Sequence, residues 1–296
     1  MAMSVNSAYL GIILIWSTTP LAIKWSGEDV DFLFGLTARM VIGTIIALII
    51  LLFMGVRLQW HKQALLTYLS ASLAIYGSMM CVYWGAQFIT SGMVSVLFGL
   101  TPMLTSLLAA LILKENSLSA PKIMGIGLAV TGLVVIFYAD ISTTELAYSG
   151  IIAVVISSAI HSLSTVLVKK VNASMPGIVI TAGSLMLSSF LFVLTWFLSD
   201  SEWPEVIPAK AGASILYLGV FGSVIGFTLY YYALKHLTAD RIGLIPLLTP
   251  VIALILGHFA NGEPLGIKLL IGAGLIMAGL VLHNLKFGRY VFVNHV

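Results

Sequence analysis

The sequence predicts an all-α integral membrane protein of ten transmembrane helices, arranged as two inverted five-helix repeats. Three observations carry that expectation. Of the 296 residues, 60% are hydrophobic and only 8% charged, so the chain cannot offer water a polar surface on every side. A hydrocarbon core of about 30 Å takes roughly 20 apolar residues per helix, which leaves room for about ten spans with short connections. And the stretch Leu97 to Glu115, apolar around Thr101-Pro102, returns as Ile245 to Glu263 around Thr249-Pro250, at an offset of 249 − 101 = 148.

The spans fall near residues 8–24, 32–54, 66–87, 92–113, 122–139, 148–168, 177–198, 212–234, 241–260 and 265–285. Each is read as a helix because runs this long in lipid must satisfy their backbone groups internally, and a barrel would show short alternating segments instead. The first lacks a basic leader and an obvious cleavage site, so it is a retained span and not a signal peptide. Cys81 is the one cysteine, which precludes an intrachain disulfide. With the N-terminus inside, Arg57, Lys62, Lys114, Lys122, Lys169, Lys170, Lys235, Arg241, Lys286 and Arg289 all lie on the inner side. Only Lys24, Lys210 and Lys268 lie outside, which places both termini in the cytoplasm of a multi-pass inner or plasma membrane protein.

The matching helices are the fourth and ninth spans. Five spans apart, they must lie in opposite orientations, so the repeat is inverted, with units at 1–140 and 141–296. Tyr83 and Thr90 match Tyr231 and Thr238 at the same offset, while Gly125, Gly127 and Gly132 match Gly272, Gly274 and Gly279 at 147. An inverted repeat of this kind is characteristic of transporters that expose one central site to either side in turn. Pro102, Pro250 and Pro20 then read as hinges or breaks that line a wet cavity, against the plainer reading that proline is common in transmembrane helices.

The candidate site residues come from the polar and aromatic positions within spans. Arg39 lies well inside the second span, where a guanidinium needs a partner. It could anchor a substrate carboxylate through a bidentate fork, clamp backbone carbonyls, or snorkel to the outer interface. The seventh span offers only Thr181 and Ser184 in the corresponding region, so any role for Arg39 is asymmetric. The first span carries Trp16-Ser-Thr-Thr-Pro20, including Trp16 and Thr18. The sixth carries Ser158, His161, Ser162 and Thr165 on one face.

His161, near a span centre, could titrate or donate to a substrate, or sit neutral against a neighbouring serine. His258 lies closer to a helix end. Tyr76, Tyr83, Trp84 and Tyr230 to Tyr232 suggest either an aromatic cage or an interfacial belt. Tyr83 and Tyr231, near helix ends, favour the belt, whereas Trp84 and Tyr232 remain cavity candidates. Gly125, Ala129 and Gly132, like Gly274 and Ala278, read as close helix packing within the bundle or at a dimer contact. The expected substrate-binding set is therefore Trp16, Thr18, Arg39, Trp84, Thr101, His161, Tyr232 and Thr249.

The run Tyr83-Trp-Gly-Ala-Gln-Phe-Ile-Thr90, then Leu100-Thr-Pro102, Glu115 and the glycine-rich helix through Gly132 recurs in the second half. It returns as Tyr231-Tyr-Ala-Leu-Lys-His-Leu-Thr238, Leu248-Thr-Pro250, Glu263 and Gly279. This order resembles the EamA-type carriers of the drug/metabolite transporter superfamily over essentially the whole chain, and Trp16 and Arg39 also resemble family positions. The resemblance implies a ten-helix carrier with a central cavity formed by both halves, typically exporting amino acids, other small metabolites or drugs. Because Arg39 resembles a position shared across diverse substrates, it favours the clamp.

No Asp or Glu lies well inside a span, which favours a passive or exchange mechanism over ion coupling. The chain is expected to be a secondary transporter working by alternating access, without metal, cofactor or nucleic acid, as a monomer or homodimer in the lipid bilayer. A translocator of lipid-linked or amphipathic substrates is the alternative. A membrane-embedded enzyme would need clustered groups, and His61, Glu115, His236 and Asp240 are scattered on the inner loops.

Overall fold

The computed structural model describes residues 5–114, 119–137, 145–199, 203–236 and 245–284; Glu115 and Thr238 lie outside them. Among the described residues the structure is helical and without strands. The helices are α1 Val5–Ser26, α2 Phe32–Phe53, α3 Lys62–Ala86, α4 Ser91–Ile112 and α5 Ala120–Phe137. They continue as α6 Glu145–Val171, α7 Gly177–Leu198, α8 Ala209–His236, α9 Ile245–Asn261 and α10 Ile267–Asn284. By length and composition, seven of the ten expected spans are long and apolar enough to cross a membrane, namely α1 to α4 and α6 to α8. The other three fall on shorter apolar helices, α5, α9 and α10.

Local chemistry sets several helix ends. Asp31 caps α2 by accepting from the backbone N–H groups of Leu33 and Phe34 at 2.9 and 3.1 Å. At its other end Gly55 takes φ +64°, and the N–H groups of Gly55 and Val56 return to the carbonyls of Leu52 and Leu51. Thr90 caps α4 through Met93 N–H at 3.2 Å. That N-terminus has a second partner: Glu263, in the turn after α9, accepts from Ser91 N–H at 3.0 Å, Ser91 Oγ at 2.9 Å and Gly92 N–H at 3.2 Å.

Two helices widen into π-helical turns, at Leu73–Ser78 in α3 and Leu218–Ile225 in α8. Such turns often mark functional positions. In α4 the chain tightens at Gly99 and Leu100, whose N–H groups reach back three residues to Val96 and Leu97, and the helix resumes with Pro102 in its first turn. There the missing proline N–H costs nothing. Pro250 sits inside the continuous α9.

Packing exchanges elements between the two halves of the chain. α1 lies against α8 and α9, α6 lies against α3 and α4, α2 crosses α7, and α5 pairs with α10. The last contact is made backbone to backbone. A Cβ on Gly125 would meet the Gly279 carbonyl, and one on Gly132 the Gly272 carbonyl. The small-residue stripe of α5 is thus intramolecular packing, but its partner face on α10 is Gly272 and Gly279, while Gly274 faces open space and Ala278 is exposed.

Hydroxyls and small residues fill the interior. Ser78 and Ser157 meet at 2.8 Å between α3 and α6, and Thr44 and Ser189 at 2.6 Å between α2 and α7. Large apolar side chains such as Leu14, Ile45, Phe53, Phe190 and Phe259 point outward. A soluble domain would place these inside. Lipid needs no such exclusion, so close contact between small residues holds the helices together instead.

Candidate functional site

A cavity of about 100 Å³ lies where α1, α2, α3, α4, α6, α8 and α9 converge. Five of the expected residues line it: Trp16, Arg39, Thr101, His161 and Thr249, with the hinge candidate Pro20. Three stand outside its lining. Thr18 turns to Tyr217, hydroxyl to hydroxyl at 2.5 Å, and also donates to the Ile15 carbonyl. Trp84 is 36% exposed and packs edge-on against Phe88. Tyr232 packs on His236 at 4.3 Å between ring centroids.

Arg39 is 1% exposed, which excludes snorkelling. Its Nε donates to Ser223 Oγ at 2.9 Å and its Nη1 to Tyr83 Oη at 3.2 Å, so it ties α2 to α8 and α3 through hydroxyls. The guanidinium also lies 5.8 Å from the Tyr83 ring centroid. The π-helical turn of α8 makes the space, because a Cβ on Gly222 would stand 3.0 Å from Arg39 Nη2. Among the described residues no carboxylate forms an ion pair with it. A buried cation held only by neutral oxygens is costly, and intramembrane positions of this kind are functional by default.

His161 sits in a box of rings, with centroids of Trp16 at 6.2 Å, Phe98 at 6.3 Å and Tyr230 at 5.9 Å. Its Nδ1 has no hydrogen-bond partner, and neither does the buried Thr101 Oγ1. The neighbouring-serine reading of His161 does not hold. Ser162 instead donates to its own Ser158 carbonyl at 2.8 Å and to the Thr101 carbonyl of α4 at 3.0 Å, and Ser158 reaches the Leu97 carbonyl of α4 at 3.4 Å. Thr165 is bonded to Tyr230 Oη at 2.9 Å.

The belt expectation for Tyr83 and Tyr231 is corrected. Both are buried, Tyr83 against Arg39 and Tyr231 stacked on Phe227, because α3 and α8 turn these faces into the bundle. Tyr230, named in the sequence only within the aromatic cluster, packs against Trp16 and His161, whereas Ser223, Gly222, Phe98 and Pro246 around the site were missed. Pro246, four residues before Pro250, was the one legible sign among them.

The model of the EamA-like transporter family matches residues 4–138 and again 148–285. An uncharacterized transporter of Archaeoglobus fulgidus is 30% identical over 275 residues, covering 90% of this chain and 94% of that protein. The uncharacterized transporter YoaV of Bacillus subtilis is 26% identical over 285 residues, with 95% and 97% covered. The "Probable terminal-alkyne amino-acid exporter" of Streptantibioticus cattleyicolor is 27% identical over 233 residues, with 78% and 76% covered. One crystal structure shares the fold at a TM-score of 0.68 and 20% identity, over 96% of this chain and 98% of that one. With both stretches matched and seven helices long and apolar enough to cross a membrane, the chain belongs to the EamA-like transporter family and is a multi-pass membrane transporter.

Proposed function

We propose that this chain is a secondary transporter that moves small metabolites, amino acids or related compounds, outward across the inner or plasma membrane by alternating access. The observation that carries the reading is the cavity itself, to which both halves of the chain contribute. Trp16, Arg39 and Thr101 come from the first, and His161, Gly222 and Thr249 from the second. Two groups there, His161 Nδ1 and Thr101 Oγ1, are buried without a protein partner and so are free to hydrogen-bond a substrate.

Ten spans in two inverted units, 1–140 and 141–296, with both termini cytoplasmic, are part of the proposal. The family model's two matches support it, as do the reciprocal packing of α1 on α8 and α9 and of α6 on α3 and α4, and the π-helical turns in α3 and α8. The amino-acid exporter among the relatives supports the substrate range. Rocking of one half on the other would then expose the cavity to each side.

The test is efflux from proteoliposomes loaded with a pooled metabolite panel, comparing the wild-type chain with His161→Ala. Selective loss of a few amino acids or related compounds, abolished in the folded variant, is expected. Movement of labelled lipids with no movement of any water-soluble compound would replace this reading with a lipid translocator.

A further inference from the structure

We propose that the cavity takes a monoanionic carboxylate without an ammonium group, such as a 2-hydroxy acid with an apolar side chain, in preference to the zwitterionic amino acid of the same skeleton. This rests on the transporter reading above and narrows its substrate.

Charge carries the argument. Among the described residues that line the cavity, Arg39 is the one fixed cation, and no Asp or Glu is present. Its partners Ser223 and Tyr83 are neutral hydroxyls, so its charge is uncompensated in a low-dielectric interior. A ligand carboxylate supplies the missing charge, and a planar guanidinium is suited to holding it.

An ammonium on the same ligand would be a second cation in a cavity of about 100 Å³, with no acid to receive it. At the α4 break the Leu97 and Thr101 carbonyls accept from Ser158 and Ser162, and any backbone carbonyl there offers a dipole and no charge to balance an ammonium. Thr19 donates its proton to the Ile15 carbonyl at 2.7 Å, which leaves its oxygen as an acceptor without charge. The hydroxyls of Thr101 and Thr249 and a neutral His161 can turn to donate or accept, so they suit a 2-hydroxyl as well as an amine and do not set the sign. Fixed charge does. The rest of the lining, Met79, Val82, Val94, Phe98 and Phe227, is apolar and suits an apolar side chain.

Matched pairs that differ only at C2 test this. Proteoliposomes are loaded with isotope-labelled phenylalanine or 2-hydroxy-3-phenylpropanoate, and with leucine or 2-hydroxy-4-methylpentanoate, at neutral pH, with protein-free vesicles measuring leak. The hydroxy acids are expected to leave at least tenfold faster than their amino acids. Thr249→Asp, which adds an acid to the cavity, is expected to shift that ratio at least tenfold toward the amino acid, and Ser95→Asp serves if Thr249→Asp is not recovered folded. Equal or faster efflux of the amino acids overturns the carboxylate inference while leaving the transporter reading in place. An unchanged ratio in a folded aspartate variant overturns the charge argument. No efflux of any of the four above leak, with movement of other compounds from the pooled panel, overturns the inference and leaves the transporter reading in place.

Discussion

Arg39 on α2 and Ser184 on α7 stand 184 − 39 = 145 residues apart, the same spacing as Thr44 and Ser189, whose hydroxyls meet where those two helices cross. Each looks toward a π-helical turn in the other half. Arg39 donates to Ser223 within Leu218–Ile225, whereas the Ser184 carbonyl accepts from Ser72, just before Leu73–Ser78, at 3.2 Å. One contact carries a buried cation that reaches the cavity. The other carries no charge: Ser184 Oγ donates to the Ile180 carbonyl at 2.6 Å and is hydrogen-bonded with Tyr231, and Gly183 leaves room for the Tyr68 ring. The scaffold tolerates the same packing with and without a charge, so packing alone does not require Arg39. A buried charge that packing does not require points to the ligand.

The sharpest way to break that comparison is Arg39→Met, which keeps the apolar stem and removes the charge. Efflux of the transported substrate is expected to fall about a hundredfold or more, about 2.8 kcal/mol at roughly 1.4 kcal/mol per tenfold. Thermal stability in detergent is expected to hold, because a desolvated charge leaves along with its two hydrogen bonds. A large drop in melting temperature with a proportional loss of folded protein would instead make Arg39 the clamp that the family resemblance favours.

The second prediction concerns α5 and α10, where the two halves do match. Gly132→Ala places a methyl 2.6 Å from the Gly272 carbonyl, while at Gly127 nothing lies within 4 Å. Overpacking of this kind costs about 1–3 kcal/mol, so Gly132→Ala is expected to lower the melting temperature and Gly127→Ala to leave it unchanged. Equal melting temperatures for the two variants would mean that α5 and α10 separate freely.

The sequence made these two regions unequally readable. Gly125, Ala129 and Gly132 announce a close crossing because only small residues permit one, and composition alone decides that the helices are apolar. On α10 Gly274 and Ala278 face away from α5, which removes the within-bundle alternative for them, since spacing identifies a stripe but not the side that meets a neighbour. Tyr83 and Tyr231 went astray for a related reason. Their place near predicted span ends suggested headgroup depth, but depth says nothing of whether a ring faces lipid or bundle, and both face the bundle. The π-helical turns leave no pattern a periodicity argument detects, and with them went Ser223 and Gly222, the residues that receive Arg39. Of the polar stripe on α6, Ser158 and Ser162 reach carbonyls of α4 and His161 faces the cavity, a division that residue type cannot reveal.

Glu263 allows a smaller test where the turn after α9 meets the start of α4. Its carboxylate takes two backbone N–H groups at the start of α4, and Glu263→Gln keeps the shape while removing the charge that favours a helix N-terminus. A loss of about 1 kcal/mol in stability is expected, read as a modest fall in melting temperature. No change in melting temperature would show that the neutral amide caps α4 equally well.

The smallest effect is expected where the two halves agree in standing apart from the cavity. Trp84 and Tyr232 occupy positions 232 − 84 = 148 residues apart and both stand outside the cavity lining, Trp84 on Phe88 in the turn after α3 and Tyr232 on His236 and the buried cluster around Ile12 and Ala233. Trp84→Leu and Tyr232→Leu should therefore change efflux by less than about twofold, since neither ring lines the cavity. Trp16→Leu is the counterpart inside the cavity, where the indole packs on Tyr230 at 5.2 Å and edge-on to His161. It should cost at least tenfold, because it dismantles the box of rings that positions the unpaired imidazole. If Trp84→Leu and Trp16→Leu cost the same, the substrate contacts the outer face of α3 as well as the enclosed space. The asymmetry drawn between Arg39 and Ser184 would then describe only the deepest part of a longer path.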